Sequence, residues 1–402
     1  MSLMSVITNS AEIANMLFDA IPNSQAQYDR LSNSALTRGI DLYTNNDYAG
    51  AIKEFRRTIG LSPFSDNAAK AYGYMAQGYL MDDNTDAAIK TYTEAIRAYP
   101  ARDTFRISLG DIYYKQGLLP EAEAEYAAAV KLNPESANSR YGLGQVYLNS
   151  GKYNEAETEF KKVVSLSPGS SIGYYGLGQM YRQTGDFNDA ITQLEKAISL
   201  DSSFDRGTLE LGYTYADMGD MDNANALADN LAGKWSSLAG DLTDYIYKIT
   251  TPQFLEVYST NSFRDYLGPG TKVASLDSTL EELQAEKSFT MRFVFNKGMD
   301  PGSIQNPFNW WISRASGTNV GGAYNWGMPI PSTETSIGAI PVGVIYNQDA
   351  FSADVTFKVA QNATGDATID PSHIMFRFDG KDAYGKAMDL TADEYSGITQ
   401  IV

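Results

Sequence analysis

Residues 103–136 read DTFRISLGDIYYKQGLLPEAEAEYAAAVKLNPES, and residues 137–170 read ANSRYGLGQVYLNSGKYNEAETEFKKVVSLSPGS. Laid one under the other, they agree where size matters most. Leu109-Gly110 stands above Leu143-Gly144, Tyr113 above Tyr147, Gly117 above Gly151, Ala122 above Ala156 and Pro134 above Pro168. The spacing of 34 continues through Leu177-Gly178 with Tyr181, Gly185 and Ala190, then Leu211-Gly212 with Tyr215, Gly219 and Ala224. Two looser copies precede these. One holds Gly39, Tyr48, Ala51, Phe55 and Pro63; the other holds Ala76, Tyr79, Ala88, Tyr92, Ala95 and Pro100. Self-similarity at a fixed period marks a stack of identical supersecondary units, each too small to bury its apolar face alone.

Within one unit the residues predict a helical hairpin. Small side chains at Gly110 and Ala122 let two antiparallel helices approach, with Tyr113 and Tyr126 filling the volume beside them. Gly117 suits a turn that a Cβ would hinder, and Pro134 stops the second helix. In the fifth copy Ser202 stands where the closing proline is expected. The segment 236–248 is amphipathic through Leu238, Leu242, Tyr245 and Ile246 and predicts a helix capping the last unit.

These motifs resemble the tetratricopeptide repeat over about residues 32–235. The resemblance implies an α-solenoid of about six helical hairpins whose first helices line a groove for a partner chain. Carried onto this sequence, the groove positions are Tyr114, Tyr141, Gln145, Tyr175, Gln179, Arg182 and Tyr213. Chaperone-binding members of the family clamp a terminal carboxylate with Lys and Asn at such positions. Here Tyr and Gln largely replace that set, and such a stripe suits adaptable contacts with polar or aromatic chains.

After Thr250 the composition changes. Residues 249–284 mix Pro, Gly and Ser and are expected to form a linker. From Lys287 the apolar period becomes two: Phe289, Met291, Phe293 and Phe295, then Val355, Phe357 and Val359, then Ile374, Phe376 and Phe378. Runs of this kind, separated by turn clusters such as Asn296-Lys297-Gly298, predict an antiparallel β-sandwich over 285–402. Two stretches, FVFNKGMDPGSI at 293–304 and FRFDGKDAYGKAMD at 376–389, resemble the bacterial Ig-like modules of surface-layer and adhesin proteins. The two-part layout resembles that of proteobacterial surface proteins. The intervening 306–327, rich in Trp and Gly, is expected to be a long loop or hairpin. Of its tryptophans Trp310, Trp311 and Trp326, at least two are expected in the core, the alternative being an exposed aromatic platform.

Composition narrows the functions. The chain has 402 residues, no Cys and a single His, so thiol chemistry and a His-based metal centre within one chain are excluded. With a formal charge of −18 and no basic run, it opposes nucleic acid and anionic lipid. No run approaches the roughly 20 apolar residues of a membrane helix. Asp300, Asp379, Asp382 and Asp389 are weak candidates for a Ca²⁺ site, because that ion takes several carboxylate and carbonyl oxygens. Otherwise no metal or cofactor is expected, and no catalytic residue. His373 is expected at a surface or edge.

The expected function is non-enzymatic: a self-assembling, structural protein of a bacterial cell surface or extracellular filament or layer. The alternative is a monomeric adaptor that binds a partner peptide. The N-terminal segment 1–31 offers Ile7, Ile13, Met16, Leu17 and Phe18 as one helical face, for docking in a neighbour's groove or packing on the first repeat. It lacks the basic and apolar regions of a classical signal peptide, so export by another route, or a cytoplasmic location, is expected.

Overall fold

A computed structural model describes residues 25–234, 236–317 and 322–401. The chain divides into two units, Met1–Leu242 and Thr243–Val402.

The first unit is a run of helical hairpins. Helix α1 covers residues 25–44. It is followed by α2 (Tyr48–Leu61), α3 (Asp66–Met81), α4 (Thr85–Ala98), α5 (Asp103–Lys115), α6 (Leu119–Leu132) and α7 (Ala137–Asn149). Then come α8 (Tyr153–Leu166), α9 (Ser171–Thr184), α10 (Phe187–Leu200), α11 (Asp205–Met218) and α12 (Met221–Gly233). These make six pairs among the described residues, and α13 (Leu238–Ile249) follows them.

Packing inside the third and fourth pairs is ring on glycine. A Cβ on Gly144 would lie 2.6 Å from the Phe160 ring, and one on Gly176, in the next pair, 2.5 Å from the same ring. Gly110 and Gly142 stand in the same relation to Tyr126. One aromatic thus fills the space between two glycines of successive first helices, so the hairpin and the stack are fixed by a single side chain. In the last pair the ring position is Ala228, and Leu242 of α13 packs on Gly212 in its place, 2.4 Å from a Cβ built there. That makes α13 the cap. The hairpin turns need a left-handed residue, supplied by Gly117, Gly151, Gly185 and Gly219 with φ of +71° to +89°. The two looser copies place Asn46 (φ 62°) and Asp83 (φ 54°) there, residues that tolerate this region.

The second unit is antiparallel β. Its strands are β1 (Phe254–Ser259), β2 (Thr271–Lys272), β3 (Glu286–Phe295), β4 (Trp310–Arg314) and β5 (Gly343–Asn347). The rest are β6 (Ser352–Ala360), β7 (Thr368–Ile369), β8 (Ile374–Phe378), β9 (Glu394–Ser396) and β10 (Gln400–Ile401), with the short α14 (Pro301–Ile304) after β3. Two four-stranded sheets, ordered β1-β3-β6-β5 and β10-β9-β8-β4, share one core, and β2 pairs with β7 apart from them. Rings meet across the layers: Trp310 lies 5.0 Å from Phe293, and Phe376 lies 5.3 Å from Phe357.

Several expectations change. Residues 249–284 are not a linker: β1 pairs with β3, and Phe254, Phe263, Val273, Leu276 and Leu280 are buried in the core. The Trp-rich stretch holds a strand, β4, paired with β8 from Trp310↔Phe378 to Arg314↔Ile374. Only Trp310 is core, while Trp311 and Trp326 are exposed. His373 is buried, with Nδ1 2.7 Å from Oδ2 of the equally buried Asp370. The four candidate calcium ligands do not converge. Asp300 accepts from Ser303 N at the start of α14, and Asp389 accepts from Thr391 N and Thr251 Oγ1. Asp382 is buried against Lys297, and no group of three metal-ligating side chains gathers among the described residues. Among those residues no helix is long and apolar enough to cross a membrane.

The Lys297 ammonium lies wholly inside this unit. It donates to Tyr247 O at 2.6 Å and Thr250 O at 2.9 Å, and Asp382 Oδ2 lies 2.6 Å away. Lys386 Nζ donates to Ile249 O. Two cations therefore meet the last carbonyls of α13, where the helix dipole is negative and backbone acceptors lack helical partners.

Candidate partner-binding groove

Positions three, four, seven and eight residues apart on a helix share a face. On α5 that face holds Ile107, Asp111 and Tyr114; on α7 it holds Asn138, Tyr141, Gln145 and Asn149. A cleft of about 300 Å³ is lined by Ile107, Asp111, Tyr114, Tyr126, Asn138, Tyr141, Gly142 and Gln145. Of the residues expected in the groove, Tyr114, Tyr141 and Gln145 thus meet around one depression spanning two repeats.

The others continue the wall through hydrogen bonds. Gln145 Nε2 donates to Tyr141 OH at 3.0 Å and to Gln179 Oε1 at 2.9 Å. Gln179 Nε2 in turn donates to Tyr175 OH at 3.0 Å. Asn149 Nδ2 donates to Tyr114 OH at 2.7 Å. Each amide bridges one repeat to the next, so the tyrosines are held in place before any partner arrives.

The wall's half-buried cation is engaged by acids from the next repeat. Arg182 Nε donates to Glu210 Oε1 at 2.6 Å and NH1 to Asp217 Oδ2 at 2.8 Å, and its guanidinium lies 5.4 Å from the Tyr213 ring centre. Burial opposes the Arg182 charge, but the two carboxylates outweigh it and raise its pKa. Burial also pushes Tyr141 up to about 12, against the opposing bond from Gln145, and raises Tyr175, with Glu210 adding to the effect. At neutral pH these tyrosines are therefore uncharged, Arg182 is held between two carboxylates, and Asp111 adds a further acid to the cleft lining.

Sequence reasoning missed Asp111 and Glu210. Asp111 accepts from the Tyr126 hydroxyl, binding the wall to the ring that packs the repeats. Glu210 occupies the position held by Gly142 and Gly176 in earlier copies, where the smaller Leu194 replaces the aromatic ring. The signal lay in that paired exchange. Ile7, Ile13, Met16, Leu17 and Phe18 fall outside the described residues.

Family models for the tetratricopeptide repeat match residues 36–103, 75–137 and 107–171, and a further one matches 178–219. The helical pairs are tetratricopeptide repeats. Such arrays are protein-binding scaffolds, so the tetratricopeptide solenoid is the part of this chain built for protein–protein interaction. Among solved structures, pilF of Pseudomonas aeruginosa is 17% identical with a TM-score of 0.45, covering 54% of this chain and 99% of its own. PilW, a type IV pilus biogenesis factor, is 16% identical with a TM-score of 0.46, covering 54% and 99%. A tetratricopeptide repeat protein from Parabacteroides merdae is 16% identical with a TM-score of 0.47, covering 55% and 89%. None of these likenesses extends to what this chain binds. No curated protein matches the sequence.

Proposed function

We propose that the chain is a non-enzymatic, self-assembling structural protein of a bacterial surface or extracellular array, whose tetratricopeptide groove takes an uncharged segment of a neighbouring copy. The observation that carries this reading is the groove wall itself. Its tyrosines are pre-positioned by amide bridges, and Arg182 is already engaged by Glu210 and Asp217. Tyrosine rings and amides of this kind suit a neutral polypeptide.

An open polymer needs a second, different surface on each subunit. The terminal strand β5 supplies a candidate, with Val342 and Ile345 at 60% and 70% exposure beside Ile340. Exposed apolar edge strands invite pairing with another chain. The reading of the second unit as an Ig-like surface module is supported by its two facing antiparallel sheets.

The test is electron microscopy and light scattering of the full chain over a wide concentration range, with Tyr141→Ala and Ile345→Lys variants. Regular fibres or sheets that either variant shortens, with helix content unchanged, are expected. Monodisperse particles at every concentration would sink self-assembly and leave the adaptor that binds a foreign peptide.

A further inference from the structure

A second concavity, unrelated to the groove, opens in the β unit. It has a volume of about 270 Å³ and is lined by Ile312, Ser313 and Arg314 of β4, Tyr324, the stretch Thr335-Ser336-Ile337, and Ile374 of β8. Its lining thus combines three isoleucines with the hydroxyl-bearing Ser313, Tyr324, Thr335 and Ser336. Over the Tyr324 ring, 5.0 Å from its centre, stands the Arg314 guanidinium. Among the described residues no carboxylate pairs with it. The Glu334 oxygens are engaged elsewhere: Tyr324 OH donates to Oε1 and Thr368 Oγ1 to Oε2 at 3.5 Å. Arg314 thus stands over an aromatic ring in the lining of a cleft, exposed to solvent and with no carboxylate within ion-pair distance among the described residues.

We infer that this cleft binds an aliphatic monocarboxylate, its carboxylate on the Arg314 fork and its short branched body against Ile312, Ile337 and Ile374. The guanidinium presents donors in a plane that matches a carboxylate two-to-two, and its attraction to the Tyr324 ring 5.0 Å away holds it beside the cleft. The volume lies below that of drug-sized sites and suits a body of a few carbons. Burial raises Glu334 to about 7, with Arg314 opposing and Asp370 adding, so near neutrality it is substantially protonated and competes weakly for Arg314. The carboxylate has two sources, a free small acid or the C-terminus of a polypeptide ending in Val or Leu.

The experiment uses full-length protein labelled at isoleucine δ1 methyls, titrated in methyl NMR with 3-methylbutanoate. In parallel it is titrated with its neutral amide, and with acetyl-Gly-Gly-Val as free acid and as C-terminal amide. The acids should shift the Ile337 and Ile374 methyls saturably, within about 10 mM, while the amides do not. Arg314→Leu should abolish the shifts, and Arg314→Lys should weaken binding about tenfold because a point charge lacks the fork. Tighter binding of the tripeptide acid would identify a polypeptide terminus as the source, and binding of the small acid alone would identify a metabolite. Equal shifts from acid and amide, unchanged binding in Arg314→Leu, or no shift with either acid would each overturn the inference. The acid–amide comparison on the unaltered protein holds even if the leucine variant fails to fold.

Discussion

Replacing Lys297 with methionine keeps most of the stem volume and removes one charge from a site where nothing else can supply it. The ammonium is 1% exposed and its partner Asp382 is 0% exposed. Without it, Asp382 Oδ2 loses its polar neighbour, and Tyr247 O and Thr250 O lose their donor. Asp382 Oδ1 still accepts from Tyr384 N at 2.9 Å and Lys386 N at 2.8 Å, which limits the damage on that side. Breaking a buried pair from one end typically costs about 3–5 kcal/mol. The expected loss for Lys297→Met is in that range. Lys297→Met with Asp382→Asn should be less destabilised than the sum of the two singles, by at least about 1 kcal/mol, because the second change removes the stranded charge. Urea unfolding followed by tryptophan emission measures this well, since Trp310, Trp311 and Trp326 lie in the second unit. A loss below about 1 kcal/mol, or strict additivity, would refute the idea that the pair is a single buried unit.

Other expectations follow from the packing and the charges. Gly142→Ala places a Cβ 2.3 Å from the Tyr126 ring, which Gly110 confines on its other side. It should destabilise the repeats by about 1–3 kcal/mol in thermal unfolding followed by helix content. Gly151→Ala, at φ 71°, should cost about 1 kcal/mol, while Asp83→Gly, at φ 54°, should gain up to about 1 kcal/mol by the same measurement. Glu334 has its pKa raised from the ordinary 4.5 to about 7, so its ionised form disfavours the fold. That penalty is absent below the ordinary value, grows as pH rises, and is complete above about 7. Glu334→Gln should therefore leave stability unchanged near pH 4 and raise it near pH 8. Solvent screening of this half-exposed group limits the gain to about 1 kcal/mol.

The repeats were legible because their chemistry is steric. A glycine facing a ring leaves the same trace every 34 residues, and the trace survives wherever the pair survives. It is lost in the second copy, where Ala76 holds the glycine position, and in the first two copies the turn glycine gives way to Asn46 and Asp83. Residues 249–284 were misread for a different reason. Strand β1 has an irregular burial pattern with a register shift between Phe254 and Glu256, so no period of two shows in FLEVYS. The rest of that stretch folds through single-turn helices whose Ser and Asp look like loop. His373 and Lys297 were hidden because nothing in the sequence pairs them with Asp370 and Asp382. Only the folded sheet removes all four from water. In the groove, residue types were readable from the repeat register, but the bridges between them depend on helix spacing that the sequence does not state.

The bridge from Gln145 to Gln179 joins equivalent residues one repeat apart, Nε2 of one donating to Oε1 of the next. A whole repeat copied in or cut out at that step would meet the same chemistry on both sides, much as a ladder accepts a new rung. A gain or loss of a few residues within a first helix would instead rotate every later tyrosine off the shared face. The binding surface can therefore change in length by duplication far more readily than it can change in pitch, and partners of different reach become accessible without any new kind of contact.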